Sequence, residues 1–541
     1  PISELLPKSK DTLDFFTPAT EEEILKIIKS SSKASCSLDP IPTRLLTEHF
    51  LPELLPIITD IVNASITSGI FPSSMKIALI RPLLKKITLD PDIYKNYRPV
   101  SNLSFLSKLI EKVVASRLFK HMSDNNLHDV MQSAYKPYHS TESALLRVKN
   151  DLLAAMDEKK ATYFALIDLS AAFDTVDHNV LLSFIKETIG IEGSAWKWFE
   201  SYLIGRSQQV EIDSVSSDLA QLLYGVPQGS VLGPIKYCIY TLPIGAIIRH
   251  HGLNYAVYAD DTQVYLSFNI KDSETALKRL NACLADIRTW MLKNKLKIND
   301  EKTEFLLIGS RHTHENISSS LDLMVGDSSI TASSSARNLG VMFDNQMTME
   351  KHISSVCRST HFQLRNIGSI RHLLTESSAA QLVHSLVSSR LDYCNSLLLG
   401  IPDSQLKRLQ RIQNHAARIV ARVARNDHIT PTLKRLHWLP VRQRITFKTL
   451  LLTFKCIHGM APSYLCDLLS RKETSYQTRS NQGTILVVPK TSNRSTFGER
   501  RFSVQAPMLW NKLPLDIRQC TKVDSFKTNL KTILFKEAYD D

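Results

Sequence analysis

The sequence predicts an α+β fold, followed from about residue 350 by a mainly helical and basic C-terminal region. Three observations predict it. Strand-like apolar runs at 76–84 and 162–167, with an alternating stretch at Asn254–Tyr265, interleave with helical periodicity at 141–156 and 273–293. Beyond residue 350 only the helical period continues. The net charge of +13 is also confined to one end: residues 361–541 carry 28 Lys+Arg against 12 Asp+Glu, whereas 1–360 carry 38 against 41. A polyanionic partner accounts for this imbalance, and a solvated basic surface is the alternative.

Taken in order, Thr20-Glu21-Glu22-Glu23 ahead of Ile24, Leu25, Ile27 and Ile28 reads as a capping box opening an amphipathic helix. Pro40, Pro42, Pro52, Pro56 and Pro72 then predict only brief helices over 40–75. The Ser-rich stretch 314–335 reads as loops around one short strand. Ser404–Arg425 reads as an amphipathic helix with an apolar stripe of Leu406, Leu409, Ile412, Ala416, Ile419 and Val423. Lys407, Arg411, Arg418 and Arg422, with His415, line another face. That face is either the solvated side of a bundle helix or a surface laid along phosphates.

Eight cysteines lie scattered without CxxC pairs, which excludes a zinc knuckle or a disulfide framework and suits a reducing compartment. Cys456 and Cys466, with His458 between them, read as core thiols. No apolar run reaches about 18 residues, so no membrane partner is expected, and no signal peptide is evident. The chain begins with Pro1, which leads us to expect a piece of a longer product.

The chemistry gathers at three places. Tyr258-Ala259-Asp260-Asp261, flanked by Tyr255 and Val257 before and Val264 and Leu266 after, predicts a β-hairpin with two carboxylates at its tip. Adjacent strand residues point to opposite faces, so only a turn brings both acids to one site. Two such carboxylates repel unless a divalent cation lies between them. Tyr163-Phe164-Ala165-Leu166-Ile167-Asp168 is a buried-strand run ending in an acid, read either as a metal ligand or as the N-cap of a following helix. With Asp260, Asp168 would complete a two-cation site about 4 Å across for in-line phosphoryl transfer. Between them lies Gly225-Val226-Pro227-Gln228-Gly229-Ser230-Val231-Leu232-Gly233-Pro234. By itself this is a turn whose glycines admit close backbone approach, with Pro234 suited to the first turn of a helix. The order of the three elements is what is specific.

In that order the sequence resembles the reverse transcriptases of non-LTR (LINE-type) retrotransposons, nearest the CR1/Rex-like group. The strand ending at Asp168 resembles their motif A, Pro227–Pro234 motif B and Tyr258–Asp261 motif C. Asn96-Tyr97-Arg98-Pro99-Val100-Ser101, with Lys85 and Lys86 upstream, is similar to the fingers motif. Gln132–Pro137 with His139-Ser140-Thr141-Glu142 resembles the template-side motif. Trp290 through Lys302-Thr303-Glu304 resembles motif D, and Asn338-Leu339-Gly340-Val341 the primer grip. Leu436–Pro440, Ala506-Pro507 and Trp510-Asn511 resemble blocks near the ends of these elements.

The resemblance implies a right-hand polymerase, with an N-terminal helical extension over 1–75, fingers and palm with an antiparallel sheet over 76–345, a thumb-like helical region over 346–430 and a basic region over 431–541. It implies an RNA-templated DNA polymerase that joins dNTP to a primer 3′-OH. Asp168, Asp260 and Asp261 would hold two Mg²⁺, with Mn²⁺ as substitute. Phe173 would be the steric gate against a ribose 2′-OH. Arg98, Lys85 and Lys86 would neutralise triphosphate charge, Gln228 would touch nucleotide or template, and Lys302 would be the general acid for pyrophosphate departure. Each of these basic residues also reads as a solvated surface charge. Lys407, Arg411, Arg418 and Arg422 would bind nucleic acid. Template RNA, primer DNA and dNTP are the implied partners, with integration in the nucleus and an RNA complex in the cytoplasm.

Four departures stand against the family pattern. Lys236 puts a charge on a helix expected to be apolar, Ala134 stands where Gly is favoured, and no endonuclease motif precedes residue 76. Nor does the C-terminus show acidic RNase H motifs. Nicking is therefore expected from a separate or missing domain. Lys236 keeps open a second reading, an impaired retroelement fragment that only binds nucleic acid. RNA-dependent RNA polymerases usually carry a Gly-Asp-Asp hairpin and lack a bulky gate, so Tyr258 and Phe173 oppose that class.

Overall fold

The computed structural model describes residues 6–170, 173–213, 215–317, 322–326, 328–472, 484–492 and 496–539. Two compact units emerge, each assembled from separated stretches. Pro1–Tyr135, Asp168–Gly252 and Cys283–Asp300 form the first, and Lys136–Ile167, Leu253–Ala282 and Glu301–Asp541 the second.

In the first unit, Ile77–Leu84 is the hub of a sheet. It pairs antiparallel with Tyr97–Asn102 and parallel with Ser207–Ile212. Pro82 and Pro99 face each other across the first of these ladders: Pro99 is on the edge strand Tyr97–Asn102, and Pro82 lies past Ile80, where the parallel ladder ends. The helix Glu21–Lys29 opens at Thr20, whose hydroxyl accepts from the Glu23 amide at 3.2 Å, the N-cap half of the expected capping box.

The proline-rich stretch is a correction. Leu51–Ser68 is one 18-residue helix, not a set of brief ones. Pro52 sits in the first turn, where no amide donor is needed. Pro56 faces solvent, so the carbonyl it leaves without an amide lies in an exposed turn. Ile58, Val62 and Ile66 at helical spacing then bury one face, and Gly69 ends the helix in the left-handed region.

The second unit is built on a four-stranded antiparallel sheet in the order Glu304–Ile308, Ala161–Ile167, Asp261–Phe268, Asn254–Tyr258. Ala161–Ile167 is central and almost wholly buried, which is why it reads as a continuous apolar run and not as an alternating one. Tyr163 packs on Phe268 with ring centroids 4.3 Å apart, and Phe164 stacks on Phe343. The helices Thr141–Asp157 and Ser273–Lys293 match the predicted periodicity. Within 314–335 two strands form, not one: Asp322–Val325 pairs with Ser328–Thr331. Their pairing brings two weakly apolar segments into register, which neither segment signals alone. The serines at 318–320 lie outside the described residues.

Helices dominate the remainder. Phe454, Trp510 and Phe526 centre a core, with Phe454 stacked on Phe526 at 4.3 Å. Asn511 exchanges two hydrogen bonds with the backbone of Leu486, and the Trp510 indole donates to Thr484 at 2.8 Å. The Trp510-Asn511 block therefore has a structural role. The amphipathic helix runs Asp403–Ala421 and not to residue 425, because Arg422 adopts φ +54° and ends it. Val423 lies past the end, and Ala417 and Val420 complete the buried stripe.

Candidate active site

Each acid's position follows from backbone register. Asn254–Tyr258 and Asp261–Phe268 form a hairpin in which Tyr258 pairs with Asp261, leaving Ala259-Asp260 as a two-residue turn. Ala259 takes φ +58°, a conformation usually given to Gly and costing an L-residue about 1–2 kcal/mol. Strain of this kind persists only where the flanking ladder over-determines the turn. Tyr255, Val257, Val264 and Tyr265 are buried and do so. Asp260 at the tip is half-buried and Asp261 exposed.

On the neighbouring strand the last pair is Ile167 with Thr262. The chain thus leaves Ala161–Ile167 at the end of the sheet where the carboxylate turn lies, and the next residue is Asp168. Asp168 caps no helix: it leads into the short strand Leu169–Ser170, and the next described helix, His178–Glu187, is capped by Asp177. On the other side of the central strand Glu304 pairs with Leu166, so exposed Lys302, two residues earlier, precedes its strand at the same sheet end.

The Gly-rich turn, in the first unit, is held by bonds from several segments. The Val226 amide donates to Phe173 and the Gly225 amide to Val176, both at 2.8 Å. The Ser101 amide donates to the Gln228 carbonyl at 2.7 Å, and His178 Nε2 is 2.8 Å from the Gly225 carbonyl. Gly229, at φ +119°, approaches so closely that a Cβ would meet the Ser101 carbonyl at 2.6 Å. Gln228 donates to Asp174 at 3.0 Å. Desolvation raises the Asp174 carboxyl above the ordinary Asp range, and the Gln228 bond opposes it. Phe173 is half-buried and stacks on Tyr237 with centroids 4.7 Å apart.

Two residues at this turn escaped sequence reasoning. Glu111, fully buried, accepts from the Val231 and Leu232 amides at 2.7 and 3.0 Å, capping the helix Leu232–Tyr240. Its signal was an acid among Leu109, Ile110, Val113 and Val114. Tyr237 gave no signal beyond an aromatic in an apolar helix. Lys236 is fully buried: its Nζ has no hydrogen-bond partner and lies 4.0 Å from the Tyr202 ring centre. Burial holds its pKa well below the ordinary lysine value, with nearby Glu111 opposing and Arg206 adding to the depression.

The basic candidates fare differently. Lys85, Lys86 and Arg98 are all exposed, but the Lys85 ammonium donates to the Lys95 carbonyl at 2.6 Å. Arg98 pairs across its ladder with Leu83. Lys407 and Arg411 are exposed on the amphipathic helix. Arg418 donates to the Ala424 and Asp427 carbonyls at 2.5 and 2.8 Å, and Arg422 to the Arg371 carbonyl at 3.1 Å.

A mixed α/β fold whose antiparallel sheet ends in a carboxylate hairpin beside a strand that delivers a further acid is consistent with a nucleic-acid polymerase. Residues 85–343 match the family described as Reverse transcriptase (RNA-dependent DNA polymerase). The chain is 28% identical over 420 residues to the probable RNA-directed DNA polymerase from transposon BS of Drosophila melanogaster, covering 74% of this chain and 44% of that protein. It is 27% identical over 371 residues to the probable RNA-directed DNA polymerase from transposon X-element of the same fly, covering 67% and 39%. With the RNA-directed DNA polymerase from mobile element jockey it shares 27% over 362 residues, 66% and 37%. Residues 85–343 are thus similar to reverse transcriptases, and the relatives are RNA-directed DNA polymerases of fly transposons; the chain spans less than half the length of these relatives. Among the described residues no helix is long and apolar enough to cross a membrane.

Proposed function

We propose that this chain is an RNA-templated DNA polymerase, joining dNTP to a primer 3′-OH on an RNA template. The observation that carries the reading is the register Ile167–Thr262 inside a reverse-transcriptase domain: chain continuity sends Asp168 toward the sheet end that bears Asp260 and Asp261. In this reading the four-stranded sheet is the palm, the sheet around Ile77–Leu84 belongs to the fingers and the helices after residue 345 include the thumb.

Among the described residues no three His, Cys, Asp or Glu side chains already stand as a metal-ligating cluster. The fit rests on donor chemistry: three carboxylates, all of them partly or fully exposed, suit hard oxygen-seeking cations such as Mg²⁺. Asp168, Asp260 and Asp261 would hold the ions, which supply charge stabilisation on the transferring phosphoryl group and a lowered pKa at the primer hydroxyl. Arg98 and Lys86 would draw in the triphosphate, with Lys85 in support, and Lys302 would hold a proton for the departing pyrophosphate. Template RNA and primer DNA complete the assembly, and integration would place it in the nucleus. Nicking would come from a separate domain.

Phe173 is the sugar gate in this reading, its ring fixed by the stack on Tyr237. Phe173→Val should raise ribonucleotide incorporation relative to dNTP by about tenfold or more, since relief of a 2′-OH clash is worth at least one packing defect. Unchanged selectivity would place the ring in the core only.

Phosphate binding by the amphipathic helix rests on Lys407 and Arg411, since Arg418 and Arg422 commit donors to carbonyls. Replacing Lys407 and Arg411 by Gln should flatten the log–log salt slope of RNA affinity by about 0.7–0.9 for each phosphate left without its cation. An unaltered slope would mark a solvated face. One observation favours the second reading, a fragment that only binds nucleic acid: the unpartnered Lys236 Nζ behind the Gly-rich turn.

A further inference from the structure

The tight turn at Asn338-Leu339-Gly340-Val341 is held by a residue outside the matched stretch 85–343. Ser335–Asn338 pairs with Val341–Asp344, and Leu339 and Gly340 turn the hairpin with φ +43° and +85°. Leucine is strained in a left-handed conformation that asparagine or glycine would take freely. The Tyr393 hydroxyl donates to the Leu339 carbonyl at 2.7 Å, and its ring lies against Gly340, where a Cβ would come within 3.1 Å.

The same hydroxyl is 3.2 Å from Thr141 Oγ1, from which it accepts once its own proton is committed to Leu339. Tyr393 thus bridges a helix start and a turn 198 positions apart in number, Thr141 and Leu339. Its neighbours tighten the bridge. Ser396 donates to buried Glu142 through both its amide and its hydroxyl, at 3.1 and 2.6 Å. The Arg444 guanidinium takes the Asp392 carboxylate in a bidentate pair, and Lys448, one turn on, reaches Glu142 at 3.3 Å. From the opposite side Asn338 donates to Gln263, on the strand leaving the carboxylate hairpin, at 2.8 Å. Burial raises the Tyr393 phenol above its ordinary pKa, and Tyr258 of that hairpin is among the smaller causes. Yet the residue stays 42% exposed.

We propose that Tyr393 is a positioning residue for the primer 3′ end, fixing the Leu339-Gly340 turn, which Asn338 ties to the strand leaving the carboxylate hairpin, to the helix start at Thr141. The inference rests on the polymerase reading above. It also means that the catalytic machinery extends past the matched domain into the helical region.

Primer extension by the full chain tests it, with Tyr393→Phe and Tyr393→Ala compared with wild type. Removing the hydroxyl bond should raise KM for primer–template about threefold to tenfold in Tyr393→Phe, with KM for dNTP and the melting temperature little changed. Tyr393→Ala should raise it further and shorten the products. Tyr393→Phe keeps the test open where Tyr393→Ala melts early, because it removes only a hydroxyl. The idea is overturned if Tyr393→Phe keeps wild-type KM for primer–template, or if dNTP KM moves instead. An inactive wild type overturns the polymerase reading and this inference together, whereas an active wild type with indifferent variants overturns this inference alone.

Discussion

The carboxylate hairpin and the Gly-rich turn are held by opposite means. In the hairpin, buried Tyr255, Val257, Val264 and Tyr265 fix the register, and the acids lie at the tip, Asp260 half-buried and Asp261 exposed. The Gly-rich turn also buries Val226 and Leu232, but it is pinned in addition by backbone and side-chain bonds to Ser101, Phe173, His178 and Glu111. In the first region stability and chemistry reside on different atoms, so they separate on mutation. In the second the same bonds supply both.

The largest effect expected from that difference is at the acids. Asp168→Ala or Asp260→Ala should lower incorporation on the order of 10³-fold, since each removes several kcal/mol of charge stabilisation at the reacting phosphate. Melting should shift by no more than about 1 kcal/mol, as for a half-buried polar side chain. An acid variant that unfolds would break the comparison on the hairpin side.

Glu111→Leu comes next. It strands two amides, one of them fully buried, and removes the carboxylate whose charge favours the Lys236 ammonium, which should cost about 3 kcal/mol in a urea titration. Activity should fall with stability, because the Gln228 turn loosens. Full stability in this variant would mean that water or a shifted side chain caps the helix equally well.

Lys236→Met should have a smaller effect, of opposite sign. Removing a buried amine that makes no hydrogen bond should stabilise the chain by about 1–3 kcal/mol at neutral pH. The sign with pH follows from linkage. A lysine whose folded pKa is lowered binds its proton more readily when unfolded, so stability rises as pH climbs toward the ordinary value of 10.5 and is lost as pH falls below it. Lys149, equally buried, has its pKa lowered in the same direction, but its Nζ donates to the Leu397 carbonyl. Lys236→Met should therefore flatten only part of the wild-type pH slope. A slope unchanged between pH 7 and 10 would show that Lys236 stays charged against the Tyr202 ring.

Much of this was legible in the sequence. The hairpin, the central strand and the helices at 141–157 and 273–293 were readable because period and composition agree there with burial. The Pro-rich helix was not, because proline propensity is a local rule and Pro56 escapes it by facing solvent. The end of the amphipathic helix was missed because Arg422, not Gly, takes the left-handed cap. Glu111 and Tyr393 were missed for a deeper reason. Their partners are backbone groups 120 and 54 positions away, and a backbone amide or carbonyl leaves no letter in the sequence.

The most direct measurement is extension of a DNA primer on an RNA template by the purified chain with Mg²⁺, dNTP and NTP being supplied in parallel. A polymerase of this kind should give template-length DNA from dNTP, scant product from NTP, and none from the Asp260→Ala variant. RNA binding without incorporation from either, by a chain that melts cooperatively, would contradict it and leave only the nucleic-acid-binding fragment.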